Sequence, residues 1–279
     1  DPCSPIRVQQ THAHIPPFTR NHSISLYAFV SIRAKGYSVG VDEPRWDSFP
    51  RPSLAVDVVV LTVEPGPSLA VVVIRRTQFE AGLWDIPGAF VREHETTAEA
   101  VRRTLEAKAG VQDLEPRLLA VFDAPERDPR GWVVSLAYAA FVPHALVTEA
   151  LGSSDVALAP ITAPAQHPVA IDLPDGQPSL PFDHPNMVDA AVTSLQSRYD
   201  LGIHDAQAPR PDPDSLMTHT PFTLTELRQL YETVHGLPIH RDAFARRFDP
   251  RLNDSTPLTP AGRMNTRGRP ARAFELPGA

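Results

Sequence analysis

The chemistry in this chain is concentrated in two stretches. In one, a helix face whose spacing would suit three metal-binding carboxylates carries none; the other is crowded with arginine. The first runs from Gly88 to Val111, GAFVREHETTAEAVRRTLEAKAGV. Positions 104, 107 and 108 stand at i, i+3 and i+4, so on an α-helix they share one face. Three carboxylates there would hold Mg²⁺, a hard cation that takes oxygen ligands. The residues present are Thr104, Ala107 and Lys108, which give that face one positive charge and no carboxylate. Glu106 does not replace them, because two residues along a helix is about 200° round from position 104. In the second stretch Arg263, Arg267, Arg269 and Arg272 fall within ten residues with no acid among them. Clustered guanidinium groups of this kind suit a phosphate backbone.

The elements that must position these residues are legible in the apolar patterning. Leu54–Val63 and Leu69–Thr77 are β-branched runs separated by EPGPS, a turn signal, and predict neighbouring strands. Thr96 and Glu99 have capping-box spacing at the start of the next helix, and Gly110 ends it. Arg117–Pro125 and Gly131–Val142 predict two further strands, and Val156–Ile161 one more inside the proline-rich span 145–180. Over Pro185–Tyr199, the residues Met187, Val188, Ala191, Val192 and Leu195 recur at helical spacing. Strands of this kind with a helix before and after them predict an α/β sandwich.

A second small domain is expected after a polar, proline-containing linker. Thr223 and Glu226 form a capping box, Phe222 and Leu227 fit a hydrophobic staple, and Gly236 stops the helix. Leu224, Leu227, Leu230, Tyr231 and Val234 make its core stripe. The turn LPIH leads into RDAFARRF, where Phe244 and Phe248 face inward, Asp242 and Arg246 lie opposite, and Arg247 is on the flank. Helix, short turn and helix, followed by an arginine arm and a strand ending at Phe274 and Leu276, read as a winged helix-turn-helix. The expected boundaries are 1–50 for an N-terminal extension, 51–202 for the α/β domain, 203–219 for the linker and 220–279 for the winged helix.

Composition narrows the class. The chain has 279 residues, 42% of them hydrophobic, and no apolar run approaches the length needed to cross a membrane. Its longest early run, Ser23–Ile32, is far too short. Cys3 is the single cysteine, which excludes an internal disulfide framework and, with no visible signal peptide, leads us to expect a cytoplasmic protein. His12 and His14 have no further partner at ligand spacing, so no metal is expected there. The net charge is −7, yet residues 220–279 hold nine arginines against six acids. An acidic body with a basic tail is the balance of a sensor joined to a nucleic-acid reader.

The stretch 88–111 resembles a Nudix box, aligned from Ala89 where that family has glycine. Glu95, Arg103, Leu105, Gly110 and Val111 keep the pattern, and Thr104, Ala107 and Lys108 replace its three metal-binding carboxylates. Together with GLWDIPGAFV, ERDPRGWVVSLAY, LPFDHPNMV, the helix pair and RGRPARAFEL, it makes the chain resemble the NrtR family, Nudix-related transcriptional regulators of NAD metabolism. The resemblance spans about residues 54–276. It implies a Nudix-like α/β/α sandwich with a C-terminal winged helix, and a homodimeric repressor of NAD biosynthesis or salvage genes that binds double-stranded DNA at a palindromic operator. It further implies that ADP-ribose or a related nucleotide is the effector, with no other cofactor and no metal. Candidate effector-binding residues are Arg75, Arg76, Trp84, Phe90 and Arg92, with Trp84 stacking on a base and guanidinium groups on the pyrophosphate. Candidate DNA-binding residues are Arg241, Arg246, Arg247, Arg263, Arg267, Arg269 and Arg272. The dimer interface is expected on the strands around Gly131–Val142 or the helix at Pro185–Tyr199. No catalysis is expected. Two other functions remain open: a Nudix hydrolase of ADP-ribose-like nucleotides using Glu93, Glu95, Glu99 or Glu106, and a nucleotide-binding adaptor with no DNA role.

Overall fold

A computed structural model of the chain describes residues 48–112, 114–148, 150–200, 210–217, 219–252, 258–265 and 270–276. The expected N-terminal extension therefore lies almost wholly outside the described residues, as do Arg267 and Arg269.

In chain order the elements are β1 (Ser53–Glu64), β2 (Ser68–Arg75), β3 (Trp84–Asp85), β4 (Gly88–Phe90), α1 (Thr97–Thr104), β5 (Arg117–Phe122), β6 (Val133–Phe141), α2 (His144–Thr148), β7 (Val156–Pro160) and α3 (His184–Arg198). After them come α4 (Leu224–His235), α5 (Arg241–Phe248), β8 (Thr259–Met264) and β9 (Ala271–Glu275). The first seven strands form one mixed sheet in the order β3-β2-β1-β6-β5, with β4 also on β1 and β7 also on β2. Strand β1 runs parallel to β6, with Ala55 opposite Ser135, and antiparallel to β2, with Leu61 opposite Val71. It is buried from Ala55 to Val63, which is why it reads as a nearly unbroken apolar run rather than an alternating one.

Alternate residues of β1 and β2 feed two cores, as a strand's period of two requires. Val56, Val58, Val60, Val72 and Ile74 pack under α1 and α2 with Ala100, Val101, Leu105 and Val147. Val59, Leu61, Val63, Val71 and Val73 pack against Met187, Val188, Ala191, Val192 and Leu195 of α3 on the other face. This is the expected α/β/α sandwich. The second core does not stop at α3. It continues without a break into Leu227, Leu230, Tyr231 and Val234 of α4, Phe244 and Phe248 of α5, and Phe274 of β9.

The winged helix is thus docked on the sandwich, not tethered to it. Gly236, which caps α4 in the left-handed region (φ 65°), approaches the sandwich so closely that a Cβ there would lie 2.7 Å from Pro164 Cγ and 2.9 Å from Ala165 N. Gln196 of α3 donates to the carbonyls of both Pro164 and Val234. The span expected to be linker also takes part. Asp212 is buried and accepts from Tyr199 Oη at 2.5 Å and from the amides of Leu216 and Met217 at 2.8 Å. Arg198 grips Asp214, and Leu216 is buried in the core. Polar composition alone reads as linker, but here the carboxylates are consumed in capping a buried turn. The two surfaces expected to dimerise are also spoken for: β6 lies between β1 and β5, and the apolar face of α3 is in the core. Among the described residues no helix is long and apolar enough to cross a membrane.

Candidate functional site

A cavity of about 630 Å³ opens where β1, β2 and β4 meet the end of the box helix, within the size range of small-molecule sites. Its walls carry seven Arg or Lys side chains against four carboxylates, so it favours an anionic ligand. The floor is a buried chain of charges. Arg76 Nη1 pairs with Asp85, whose other oxygen meets His184 Nδ1 at 2.5 Å. His184 Nε2 lies 3.7 Å from Asp57, Asp57 lies 3.8 Å from Arg127, and Arg127 donates twice to Asp183 at 2.8 and 2.6 Å. Ser135 adds a 2.5 Å hydrogen bond to Asp57. Burial alone would lower the His184 pKa, but the carboxylates of Asp57, Asp85 and Asp183 outweigh it and raise it. As the imidazolium, His184 makes the network three cations to three anions, the condition under which so many buried charges are tolerated.

At the mouth, Phe79 and Phe182 stack with ring centres 6.1 Å apart, and the Arg130 guanidinium sits 5.1 and 5.3 Å from them and 5.3 Å from Phe90. Arg130 is held there by Asp128, which is itself buried. Phe182 has φ 56°, a left-handed conformation rare for a bulky residue and found most often where a site imposes it.

The box is arranged differently from its α-helical reading. From Leu105 to Ala109 the helix widens into a π turn before Gly110 ends it at φ 63°. The three positions expected to share a face do not share one environment. Thr104, 1% exposed, points into the core and donates its hydroxyl to the Ala100 carbonyl, whereas Ala107 and Lys108 line the cavity. Glu95 is engaged too: Arg103 donates to both of its oxygens at 2.6 and 2.8 Å, and the Arg92 amide donates to one of them. Those bonds, Arg103 first, hold the Glu95 pKa down at about 2. Arg103 also reaches the Phe90 carbonyl, so the pair clamps the box loop to the helix. A bonded hydroxyl, a methyl group, an ammonium and a clamped carboxylate do not fit a divalent cation, which needs several free oxygen ligands. Glu93, Glu95, Glu99 and Glu106 line a separate, shallower groove on the outside of the helix.

Of the candidate effector residues, Arg75, Arg76, Phe90 and Arg92 line the cavity and Trp84 does not. Trp84 is 4% exposed, its indole N–H donates to Asp175 at 3.0 Å, and the Arg75 guanidinium covers its ring at 4.4 Å. A ring buried by its own strand pairing has no face left for a base. Arg75 is drawn to Asp175 and Arg76 to Asp85, so both are fixed rather than free. Sequence reasoning assigned no role to Asp57, Asp85, Arg127, Arg130, Phe182 and His184. Asp57 and Asp85 sit inside apolar runs, where a charge signals a buried partner, while Arg127, Arg130 and Phe182 come from loops and His184 from the start of α3, segments that only the fold brings together.

In the winged helix, α4 and α5 stand in helix-turn-helix order, and β9 is tied back by paired hydrogen bonds between Phe222 and Phe274. Arg241 and Arg246 on α5 and Arg263 on β8 are exposed, and among the described residues none of the three pairs with a carboxylate. Arg247 and Arg272 are half-buried, leaning on the rings of Phe248 and Phe274 at 5.7 and 6.0 Å. Arg263 lies directly opposite Arg272 across the β8–β9 ladder, a like-charge pair that is unfavourable unless an anion covers it. The cavity and this reader are joined by one helix: α3 begins at His184 and ends where Tyr199 packs edge-on against Tyr231, which touches Phe244 and Phe248.

Comparison with known proteins agrees with this layout. The Nudix domain family matches residues 51–155, and the NrtR DNA-binding winged helix domain matches residues 216–276. The ADPR-responsive transcriptional repressor NtrR of Acinetobacter baylyi is 29% identical over 205 residues, 72% of this chain and 73% of the relative. An ADP-ribose pyrophosphatase of Methanocaldococcus jannaschii is 31% identical over 97 residues, 35% of this chain and 55% of that protein. The crystal structure of Shewanella oneidensis NrtR in complex with a 27mer DNA superposes with a TM-score of 0.60 at 28% identity, covering 80% of this chain and 93% of that one. A Nudix sandwich and an NrtR winged helix in one chain, in this order, place the protein in the NrtR family of Nudix-related transcriptional regulators.

Proposed function

We propose that this protein is a homodimeric repressor that binds a palindromic operator in genes of NAD biosynthesis or salvage. Its cavity binds ADP-ribose, or a related nucleotide, as a signal and not as a substrate. The observation that carries this reading is the single core that joins a cation-lined cavity to a winged helix with unpaired exposed arginines. Continuity through α3, about 22 Å long, gives a ligand at His184 a mechanical route to the pedestal of α5. The guanidinium groups of Arg75, Arg76 and Arg92 suit a pyrophosphate, and Phe90 at the mouth, 44% exposed, offers an apolar surface for a ring. Arg241, Arg246, Arg247, Arg263 and Arg272, with Arg267 and Arg269, supply the contacts to DNA.

A gel-shift with the DNA upstream of the protein's own gene, with and without ADP-ribose and across a salt series, tests the reading. Retarded DNA that loses its protein as ADP-ribose is added supports it; binding to no site in that DNA overturns it. Hydrolysis is the second reading, favoured by the similarity to the pyrophosphatase. Incubation with ADP-ribose and Mg²⁺ or Mn²⁺ is expected to release no AMP above background, and turnover near ~1 s⁻¹ or faster would establish an enzyme instead.

A further inference from the structure

We propose that Lys108 takes the place of the divalent cation. Its ammonium, at a position where the Nudix box has a metal-binding carboxylate, holds the diphosphate of the ligand directly, so the cavity binds that ligand without a metal. The assignment of a diphosphate ligand rests on the function proposed above; the role of Lys108 rests on geometry.

Lys108 lies in the π turn and lines the cavity wall, whereas Thr104, the last residue of α1, is buried. Among the described residues the only hydrogen-bond acceptor of its Nζ is the neutral carbonyl of Gly88. Three of the other cavity cations, Arg76, Arg127 and Arg130, are balanced by Asp85, Asp183 and Asp128. Lys108 is therefore a charge held in place but not paired with a carboxylate. An ammonium has three N–H donors, so one bond to Gly88 leaves two for phosphate oxygens. The anchor is itself rigid. A Cβ on Gly88 would lie 1.9 Å from Asp57 Oδ1, so only glycine lets β4 sit this close to the buried network and present its carbonyl there. Desolvation, helped by Arg76, lowers the Lys108 pKa against the pull of Asp57 and Asp85, and an incoming anion relieves both effects.

Calorimetry on the full chain tests this, with inorganic pyrophosphate, ADP-ribose and adenosine each titrated in EDTA and in Mg²⁺. Wild type is expected to bind pyrophosphate and ADP-ribose equally well, within about twofold, in either buffer. Loss of one charge-assisted contact in Lys108→Met should raise both Kd values about tenfold or more and leave adenosine unaffected, while Lys108→Arg should retain binding. Lys108→Gln serves as a second neutral variant should the Met side chain disturb the fold. Tighter binding by wild type in Mg²⁺ by tenfold or more, or unchanged pyrophosphate binding by the neutral variants, overturns the proposal. Binding of pyrophosphate but not ADP-ribose, with the loss in Lys108→Met intact, supports Lys108 and removes the effector reading. Binding of neither removes both.

Discussion

Arginine serves two opposite purposes in this molecule. Around the cavity, most guanidinium groups are tied to carboxylates: Arg76 to Asp85, Arg127 to Asp183, Arg130 to Asp128, Arg103 to Glu95. On the winged helix, Arg241, Arg246 and Arg263 stand exposed with no carboxylate partner among the described residues. Buried pairs have already given up most of their free charge, and in return they fix the shape of a site to the ångström. Exposed unpaired charges specify little by themselves but attract a polyanion over long distance and release it with salt. A cavity that must distinguish one small ligand needs the first arrangement, and a surface that must find a long duplex needs the second.

The comparison is broken most directly by the same kind of substitution in the two regions. Arg127→Ala leaves the buried Asp57 and the half-buried Asp183 without this partner, and is expected to cost about 3 kcal/mol of folding stability, read by urea denaturation. An unchanged midpoint would mean that the network positions nothing. Arg246→Ala should leave that midpoint in place and weaken operator binding by about 1–3 kcal/mol, with relaxed preference at one base pair in a gel-shift series. Uniform weakening on all sequences would instead mark Arg246 as a phosphate contact.

A smaller effect sharpens the account of the buried network. Because the folded-state pKa of His184 is raised, its stabilising charge is fully present below the ordinary histidine value of about 6.5 and is lost as pH rises through the folded value. The wild-type melting temperature should therefore slope downward above about pH 6.5. In His184→Asn that part of the slope should vanish. Parallel profiles for the two proteins would show that His184 is neutral when folded.

Capping signals and apolar periods were enough to place most elements. Thr96, Thr223, Gly110 and Gly236 mark the helix ends they were expected to mark, because caps are local chemistry between residues a few positions apart. The near-unbroken apolar runs of β1 and β2 likewise suit a sheet covered on both faces. The residue types at the box positions, Thr104, Ala107 and Lys108, are likewise read from the sequence alone. What local chemistry does not contain is the register of distant segments. That Trp84 is buried beneath Arg75, that Thr104 is buried while Lys108 lines the cavity, and that Asp212 is capped into the core all depend on the fold. So does the meeting of Asp57, Asp85, Arg127 and His184, since charges 70 to 127 residues apart become partners only when β1, β3, the loop before β6 and the start of α3 converge. The sequence by itself determined which elements form and which residue types fill the box; tertiary structure alone decided which charges are paired, because pairing is set by distance in space and not along the chain.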